Sequence, residues 1–301
     1  LQDNRIWFGP DGNGVPRIKR FLTDLKHDGM APTSIMFFKD VGHSQEGAQE
    51  VSKLLNGGFF SGPKPQRLMS RLITLANLKS DSVVLDFFSG SASTAQAVMS
   101  KNAEDGGHRK FIMVQLPEPC DEKSEAFKAG YKNICEIGKE RIRRAGEKIK
   151  EENPITPQDL DIGFRVLKLD DSNMKDVYYA ADDYEQQNLM DMISNIKEDR
   201  TDLDLLFGCL LDWGLPLSMP YKSEKIDGCT IHTYNDGDLI ACFDANVPES
   251  VVKEIAKRKP LRAVFRDSSF ADSPSKINVF EIFKLYMPED ANDISKRVRV
   301  I

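Results

Sequence analysis

The sequence predicts an α/β protein in two parts, and three observations carry the prediction. Between residues 59 and 152, short apolar runs alternate with amphipathic helical stretches, in the order helix, strand, helix, strand. That order belongs to a parallel sheet with helices packed on it. A Gly/Ser stretch, Ser89-Gly90-Ser91-Ala92-Ser93, joins the first apolar run to the next helix. Beyond Glu151 to Pro157, where Pro154 and Pro157 mark a linker, a second and smaller α/β unit begins. The chain therefore divides into 1–58, 59–152 and 153–301.

Taken in order, Ile6-Trp7-Phe8 reads as a short strand, and Gly9 to Gly14 as loop. Lys39 to Ser44 is expected as loop, and Gln45 to Leu55 as helix. Gly62-Pro63-Lys64-Pro65 is a rigid extended turn. Leu68, Met69, Leu72, Ile73 and Ala76 then recur at helical spacing. Val83-Val84-Leu85 is a wholly apolar strand, expected to be buried and closed by Asp86. A helix follows from Thr94 to Lys101, a turn at Glu104 to Gly107, and a second strand from Phe111 to Val114. One long amphipathic helix is expected to carry Phe127, Tyr131, Ile134, Cys135, Gly138, Ile142, Ala145 and Ile149 on one face. In the second unit, Leu203 to Leu211 is an apolar helix, and Thr230 to Tyr234 with Leu239 to Phe243 flank the hairpin signal Asn235-Asp236-Gly237-Asp238. Pro248 to Lys257 and Lys276 to Tyr286 are helical, and Arg262 to Phe265 is a strand.

Composition narrows the function classes. A hydrophobic content of 40% and a charged content of 29% are ordinary for a globular protein. No apolar run approaches the ~18 residues of a membrane span. Leu1 to Arg5 lack the basic start and apolar core expected of a signal peptide, and reduced thiols in a cytoplasmic protein are the simpler reading of the cysteines. The chain opens without Met and enters Arg5-Ile6-Trp7-Phe8 at once, so it reads as part of a longer protein. The five cysteines never occur as Cys-x-x-Cys and the four histidines are scattered, which argues against a zinc site or a disulfide framework. The net charge of −6 excludes a uniformly basic nucleic-acid binder, though not a local basic groove.

The chemistry concentrates in Asp86-Phe87-Phe88-Ser89-Gly90-Ser91-Ala92-Ser93-Thr94. Open α/β sheets bind ligands at the C-terminal ends of their strands. Small residues let backbone amides approach a ligand, and a helix start offers unpaired N–H groups. The spacing matches neither the phosphate loop nor the Gly-x-Gly-x-x-Gly dinucleotide fingerprint. On residues alone this is a nucleotide-like site of unspecified ligand, or a plain strand-to-helix turn.

The stretch resembles the Asp-x-Phe-x-Gly-Ser-Gly-Thr loop of S-adenosylmethionine-dependent DNA amino-methyltransferases, departing at Ala92 and Ser93. Pro63-Lys64-Pro65 and Leu68 are similar to the motif that precedes this loop in the β-type order of those enzymes. Asp40-Val41-Gly42-His43-Ser44-Gln45-Glu46, Glu104-Asp105-Gly106-Gly107 and Val114-Gln115-Leu116-Pro117-Glu118 resemble type III restriction–modification methyltransferases in particular. So do Arg5-Ile6-Trp7-Phe8-Gly9, Leu239 to Asp244 and Val264 to Ser268, so the likeness covers nearly the whole chain.

The resemblance implies a partial Rossmann-like S-adenosylmethionine-dependent methyltransferase domain followed by a smaller C-terminal α/β domain that serves assembly. It implies S-adenosyl-L-methionine as cofactor, with Asp86, Phe87, Phe88, Gly90, Ser91, Ser93 and Thr94 around its methionine end. Lys64, next to Pro65, would face the cofactor carboxylate, or else is a solvated lysine. Gln115 stands where the ribose-binding acid is usual, with Glu118 the nearest acid. Phe87 and Phe88 would pack on adenine, or belong to the core. The family's Asp-Pro-Pro-Tyr catalytic motif has no counterpart here, since the chain contains no Pro-Pro pair. The β-type order puts that motif upstream, so no catalytic residue is assigned in this chain and the fragment alone is expected to be inactive. The intact enzyme would methylate adenine-N6 in double-stranded DNA, as a homodimer with a restriction (Res) subunit. The alternatives are a non-catalytic assembly module and a cytosine-N4 methyltransferase.

Two further sets have double readings. Lys139, Arg141, Arg143, Arg144, Lys148 and Lys150 read as a solvated, ion-paired helix face rather than a phosphate-binding one, because Glu136, Glu140, Glu147 and Glu151 interleave. Arg17, Lys19 and Arg20 form a smaller candidate for DNA-backbone contact. The apolar set from Leu203 to Leu217 is either the second unit's own core or an assembly surface.

Overall fold

The computed structural model describes residues 4–24, 32–152, 160–175, 195–270 and 273–301. The chain forms two units, Leu1–Phe164 and Arg165–Ile301. Residues 153–157 of the expected linker lie outside the described residues.

The first unit opens with a small antiparallel pair, β1 (Ile6–Trp7) and β2 (Arg17–Ile18). A one-turn helix, α1 (Phe38–Val41), stands where loop is expected. Gly42 ends it at φ 79°, and the His43 side chain accepts from the Glu46 amide to cap α2 (Ser44–Leu55). The sequence misses α1 because one turn is too short to show a helical period.

Helix α3 (Gln66–Leu75) leads to strand β3 (Val83–Asp86), and α4 (Ser93–Asp105) to β4 (Lys110–Met113). Strands β3 and β4 pair in parallel, with Leu85 opposite Ile112 and Asp86 opposite Met113. Arg109 is buried at the α4–β4 connection, where Asp105 accepts two of its hydrogen bonds at 2.8 and 3.0 Å. The expected single helix from Phe127 to Ile149 is two helices, α5 (Glu125–Lys128) and α6 (Ile134–Glu152). Ser124 caps α5, and Gly130 at φ 99° turns the chain between the two. The apolar spacing runs through the break because Tyr131 still packs inward, its ring 5.2 Å from Phe59.

Strand β3 departs from expectation in its burial. Val84, Phe111 and Met113 face the helices and join the cores built by α3, α4 and α6. Val83, Leu85, Ile112 and Val114 face the other way and are 43–57% exposed. An apolar strand of a parallel sheet is normally covered on both faces. Within this unit the described residues cover only one.

The second unit holds a five-stranded sheet in sequential order: β5 (Tyr221–Ile226), β6 (Cys229–Tyr234), β7 (Leu239–Cys242), β8 (Ala263–Phe265) and β9 (Val298–Val300). The first three run antiparallel, and the last two join in parallel. The expected hairpin at Asn235 to Asp238 joins β6 to β7. Strand β5 escapes the sequence reading because Tyr-Lys-Ser-Glu-Lys-Ile has an almost wholly exposed edge pattern.

Both sheet faces are covered. Ile231, Ile240, Cys242 and Phe265 pack with the helices Glu249–Lys257 and Ser273–Tyr286. Tyr234, Leu239, Phe243 and Val264 pack with the helix Asp202–Asp212. Most of the Leu203–Leu217 set is therefore this unit's own core: Leu205, Leu206 and Leu210 are buried, and Trp213, Leu215 and Leu217 are partly so. Only Leu203 and Leu211 of that set are exposed. Among the described residues, no helix is long and apolar enough to cross a membrane.

Candidate functional site

The site forms where β3 and β4 end side by side. Val114 N donates to Asp86 O at 2.8 Å and Ser89 N to Val114 O at 3.2 Å, which extends the parallel pairing into the loop. The Asp86 carboxylate then closes the loop on itself. One oxygen accepts from Phe88 N at 3.1 Å, and the other from Thr94 Oγ1 at 2.6 Å. Gln115 does the same from β4, its Oε1 accepting from Gly90 N at 2.7 Å. Asp86, Gly90, Thr94 and Gln115 are thus one hydrogen-bonded assembly at the mouth of the sheet.

The remaining candidates fall into two groups. Ser91, Ser93 and Thr94 are buried, with their hydroxyls turned into the protein. Ser93 Oγ donates to Lys64 O at 2.9 Å, which ties the loop to the Pro63-Lys64-Pro65 turn. Pro65 is buried and starts α3, while Lys64 is exposed. Gly47 lets α2 pass this turn: a Cβ there would lie 2.2 Å from Pro63 O. Phe87 and Phe88 project outward, 63% and 86% exposed, so they are not core rings. Glu118 is exposed, and its carbonyl accepts from Ile134 N at 3.0 Å, fixing the chain beyond β4 against the start of α6. Lys64, Glu118, Phe87 and Phe88 are thus exposed groups on segments joined to the loop.

Three residues of the site were missed as such by sequence reasoning. Gly138 on α6 lets the helix approach the loop, since a Cβ there would lie 3.2 Å from Gly90 O and 3.7 Å from Ala92 Cβ. Phe60 lies under Gly90, 3.1 Å from where a Cβ would be. Arg141 is fully buried. Its assignment to a solvated basic face is wrong, although three others of that set are ion-paired as expected: Arg143 and Arg144 meet Glu140, and Lys148 meets Glu152. The missed signal is positional. Ile134, Gly138, Arg141 and Ala145 are spaced by four, three and four residues, which puts Arg141 inside the apolar stripe of α6.

Ala92 holds φ 60°, ψ 36°, the left-handed region, at the residue that begins α4. A side chain there costs about 1–3 kcal/mol, and glycine's greater unfolded-state freedom offsets about 0.4–1 kcal/mol of that. Ala92→Gly is therefore expected to stabilise the first unit by about 1 kcal/mol. Urea titration checks it, and an unchanged or lower midpoint would show that the buried Ala92 methyl is worth as much as the strain.

Other features are poorer candidates. Surface hollows of about 340 Å³ beside Tyr131, Glu136 and Lys139 and about 310 Å³ beside Ile35, Met36 and Arg71 lie away from the loop. Among the described residues, Cys229, Cys242 and Asp244 are the set close enough to share a metal ion. Burial pushes both thiols up, Cys242 to about 12, which favours neutral core thiols over metal-binding thiolates. The Asp244 carboxylate already accepts from Thr230 N.

Residues 6–148 match the DNA methylase family. The chain is 39% identical over 165 residues to the Mod subunit of the type III restriction–modification enzyme StyLTI of Salmonella typhimurium, covering 55% of this chain and 24% of that protein. It is 32% identical over 273 residues to the EcoPI Mod subunit of Escherichia phage P1, covering 89% of this chain and 41% of the relative. Its identity to the EcoP15I Mod subunit of Escherichia coli is 28% over 309 residues, 99% of this chain and 44% of the relative. The chain thus spans less than half the length of these curated relatives.

Proposed function

We propose that this chain, whose residues 6–148 match the DNA methylase family, carries the S-adenosylmethionine side of a site-specific DNA adenine-N6 methyltransferase of a type III restriction–modification system. The observation that carries the reading is the Asp86 loop, closed by Asp86 and Gln115 at the paired ends of two parallel strands, with small residues at its bend.

The residues present fit that cofactor. When bound, S-adenosylmethionine supplies an electrophilic methyl group on a sulfonium. Lys64 brings an exposed ammonium to the turn tied to the loop, and it is suited to a carboxylate. Asp86 and Thr94 hold the loop closed. Gln115 and Glu118 offer acceptors for ribose hydroxyls. Phe87 and Phe88 present exposed rings for the adenine.

The chain contains no Asp-Pro-Pro-Tyr segment to hold a target amine. We assign that role to other sequence of the longer protein. The half-covered sheet, with Val83, Leu85, Ile112 and Val114 exposed, supports this division of labour. On this reading residues 1–58 follow the target-recognition region, 59–152 hold the cofactor, and 153–301 serve assembly. The whole enzyme acts in the cytoplasm on double-stranded DNA, as a homodimer with a restriction subunit.

Calorimetric titration with S-adenosylmethionine, alongside incubation with labelled cofactor and unmethylated duplex DNA, tests the reading. Saturable binding without label transfer is the expected result. A well-folded chain that takes up no cofactor would favour a purely structural assembly module. Methylation of adenine by this chain alone would refute the assignment of catalysis to other sequence.

A further inference from the structure

Helix α6 buries a stripe of Ile137, Gly138, Ile142, Ala145 and Ile149, and Arg141 sits in that stripe with 0% exposure. Burying a guanidinium costs several kcal/mol unless its hydrogen bonds are met. Those of Arg141 are met chiefly by the ligand loop and the helix it opens. Nη1 donates to Ser91 Oγ at 2.8 Å and Ser93 Oγ at 2.7 Å, and Nε donates to Gln96 Oε1 at 2.9 Å. Nη2 makes no hydrogen bond, and its nearest anion is Glu50 on α2, at 4.0 Å.

The contacts continue outward. Ser93 Oγ also donates to Lys64 O, and Gln96 Nε2 donates to Gln66 Oε1 at 2.9 Å. Glu50 accepts from Gln66 N at 2.9 Å. One buried cation therefore connects α2, the Lys64 turn, the loop and α6. The loop needs such an anchor: Gly90 and Ala92 both hold positive φ, and the Ala92 side chain offers no cap to α4. A residue chosen only for packing in this stripe would be aliphatic, like its neighbours.

We propose that Arg141 is a positioning residue for the cofactor loop, its Nη1 holding Ser91 and Ser93 from beneath and its Nε holding Gln96, so that the backbone from Asp86 to Ser91 keeps its ligand-ready shape. The inference rests on the cofactor reading given above for its consequence, but not for its geometry. Desolvation lowers the guanidinium to about 10, so it stays charged at neutral pH and the fork remains a full donor. Arg141 touches no reacting group, so its effect passes through the two serines. Lysine, with one nitrogen, cannot meet the serines and Gln96 from the two positions that Nη1 and Nε occupy.

The test compares the whole chain with Arg141→Met, Arg141→Lys and the Ser91→Ala/Ser93→Ala double variant, by hydrogen exchange without ligand and by S-adenosylmethionine titration. Methionine keeps the volume and removes the buried charge, so its thermal midpoint is expected to stay near or above that of the parent. In it, amides of residues 87–94 are expected to exchange about tenfold faster or more, with β4 and the C-terminal half of α6 unchanged. Cofactor affinity is expected to fall about tenfold to a hundredfold. Arg141→Lys should recover only part of that loss. Adding Arg141→Met to the serine double variant should weaken binding little further, because both changes break the same contacts. Unchanged loop exchange in a folded Arg141→Met protein overturns the proposal, as does full recovery by lysine. If Arg141→Met fails to fold, the serine double variant decides: parental loop exchange in that protein also overturns it. If the loop loosens as expected but the parent binds no S-adenosylmethionine, the anchoring stands and it is the cofactor reading that fails.

Discussion

Replacing Asp86 with alanine is expected to weaken S-adenosylmethionine binding about a hundredfold or more while leaving the fold intact. The carboxylate accepts from Phe88 N on one oxygen and from Thr94 Oγ1 on the other, so it pins both ends of the loop to the end of β3. A hydrogen bond to a charged group contributes about 1.5–3 kcal/mol, and two are lost at once. The loss falls chiefly on binding, because Asp86 is only partly buried and Phe88, whose amide is freed, is exposed. Asp86→Asn separates charge from geometry. Its amide keeps one oxygen to accept from Phe88 N, and its NH₂ can donate to the Thr94 hydroxyl, which then accepts. A loss of about tenfold is therefore expected for asparagine. Calorimetry on proteins with matched circular dichroism is the measurement. Parental affinity in Asp86→Ala would remove the loop from the binding site.

The loop was legible in the sequence because it breaks two local rules together. An acid ends an apolar strand, and small residues follow where a helix is about to start. The strands and helices from α3 to β4 were legible for the same kind of reason, since each keeps one period over its whole length. Arg141 was not legible in the same way. Its side chain is chemically identical to those of Arg143 and Arg144, which meet Glu140 on the α6 surface, and only helical phase separates them. Strands β2, β5 and β9 were invisible because each is short or exposed, and the partner of β9, strand β8, is distant in sequence. The exposure of Val83 and Leu85 could not be read either. An apolar run states that a strand wants cover on both faces, not which sequence supplies it.

Phe265→Ala is expected to lower the stability of the second unit by about 3–5 kcal/mol, a large part of the 5–15 kcal/mol that domains of this kind have. Phe265 is fully buried in the interior strand β8, with ring contacts to Phe270 at 5.6 Å and Phe283 at 6.3 Å. Its carbonyl accepts from Ile301 N at 2.9 Å, a backbone bond at the join to β9. The surrounding helices are held by the sheet and cannot collapse fully into the void, which puts the cost at the upper end for an aromatic truncation. The chain provides its own reporters, because its two tryptophans are Trp7 in the first unit and Trp213 in the second. Trp213 lies 4.4 Å from the guanidinium of Arg299, a β9 residue paired with Val264, so its emission follows the β8–β9 pairing. In a Trp7→Phe background, urea titration should show the Trp213 transition moving to lower denaturant by about 2 M. If residues 59–152 hold the cofactor and 153–301 serve assembly, S-adenosylmethionine affinity without denaturant should stay within about twofold of the parent. Self-association, measured by sedimentation, should weaken instead. Cofactor binding that falls together with the Trp213 transition, while self-association persists, would reverse the roles given to the two units.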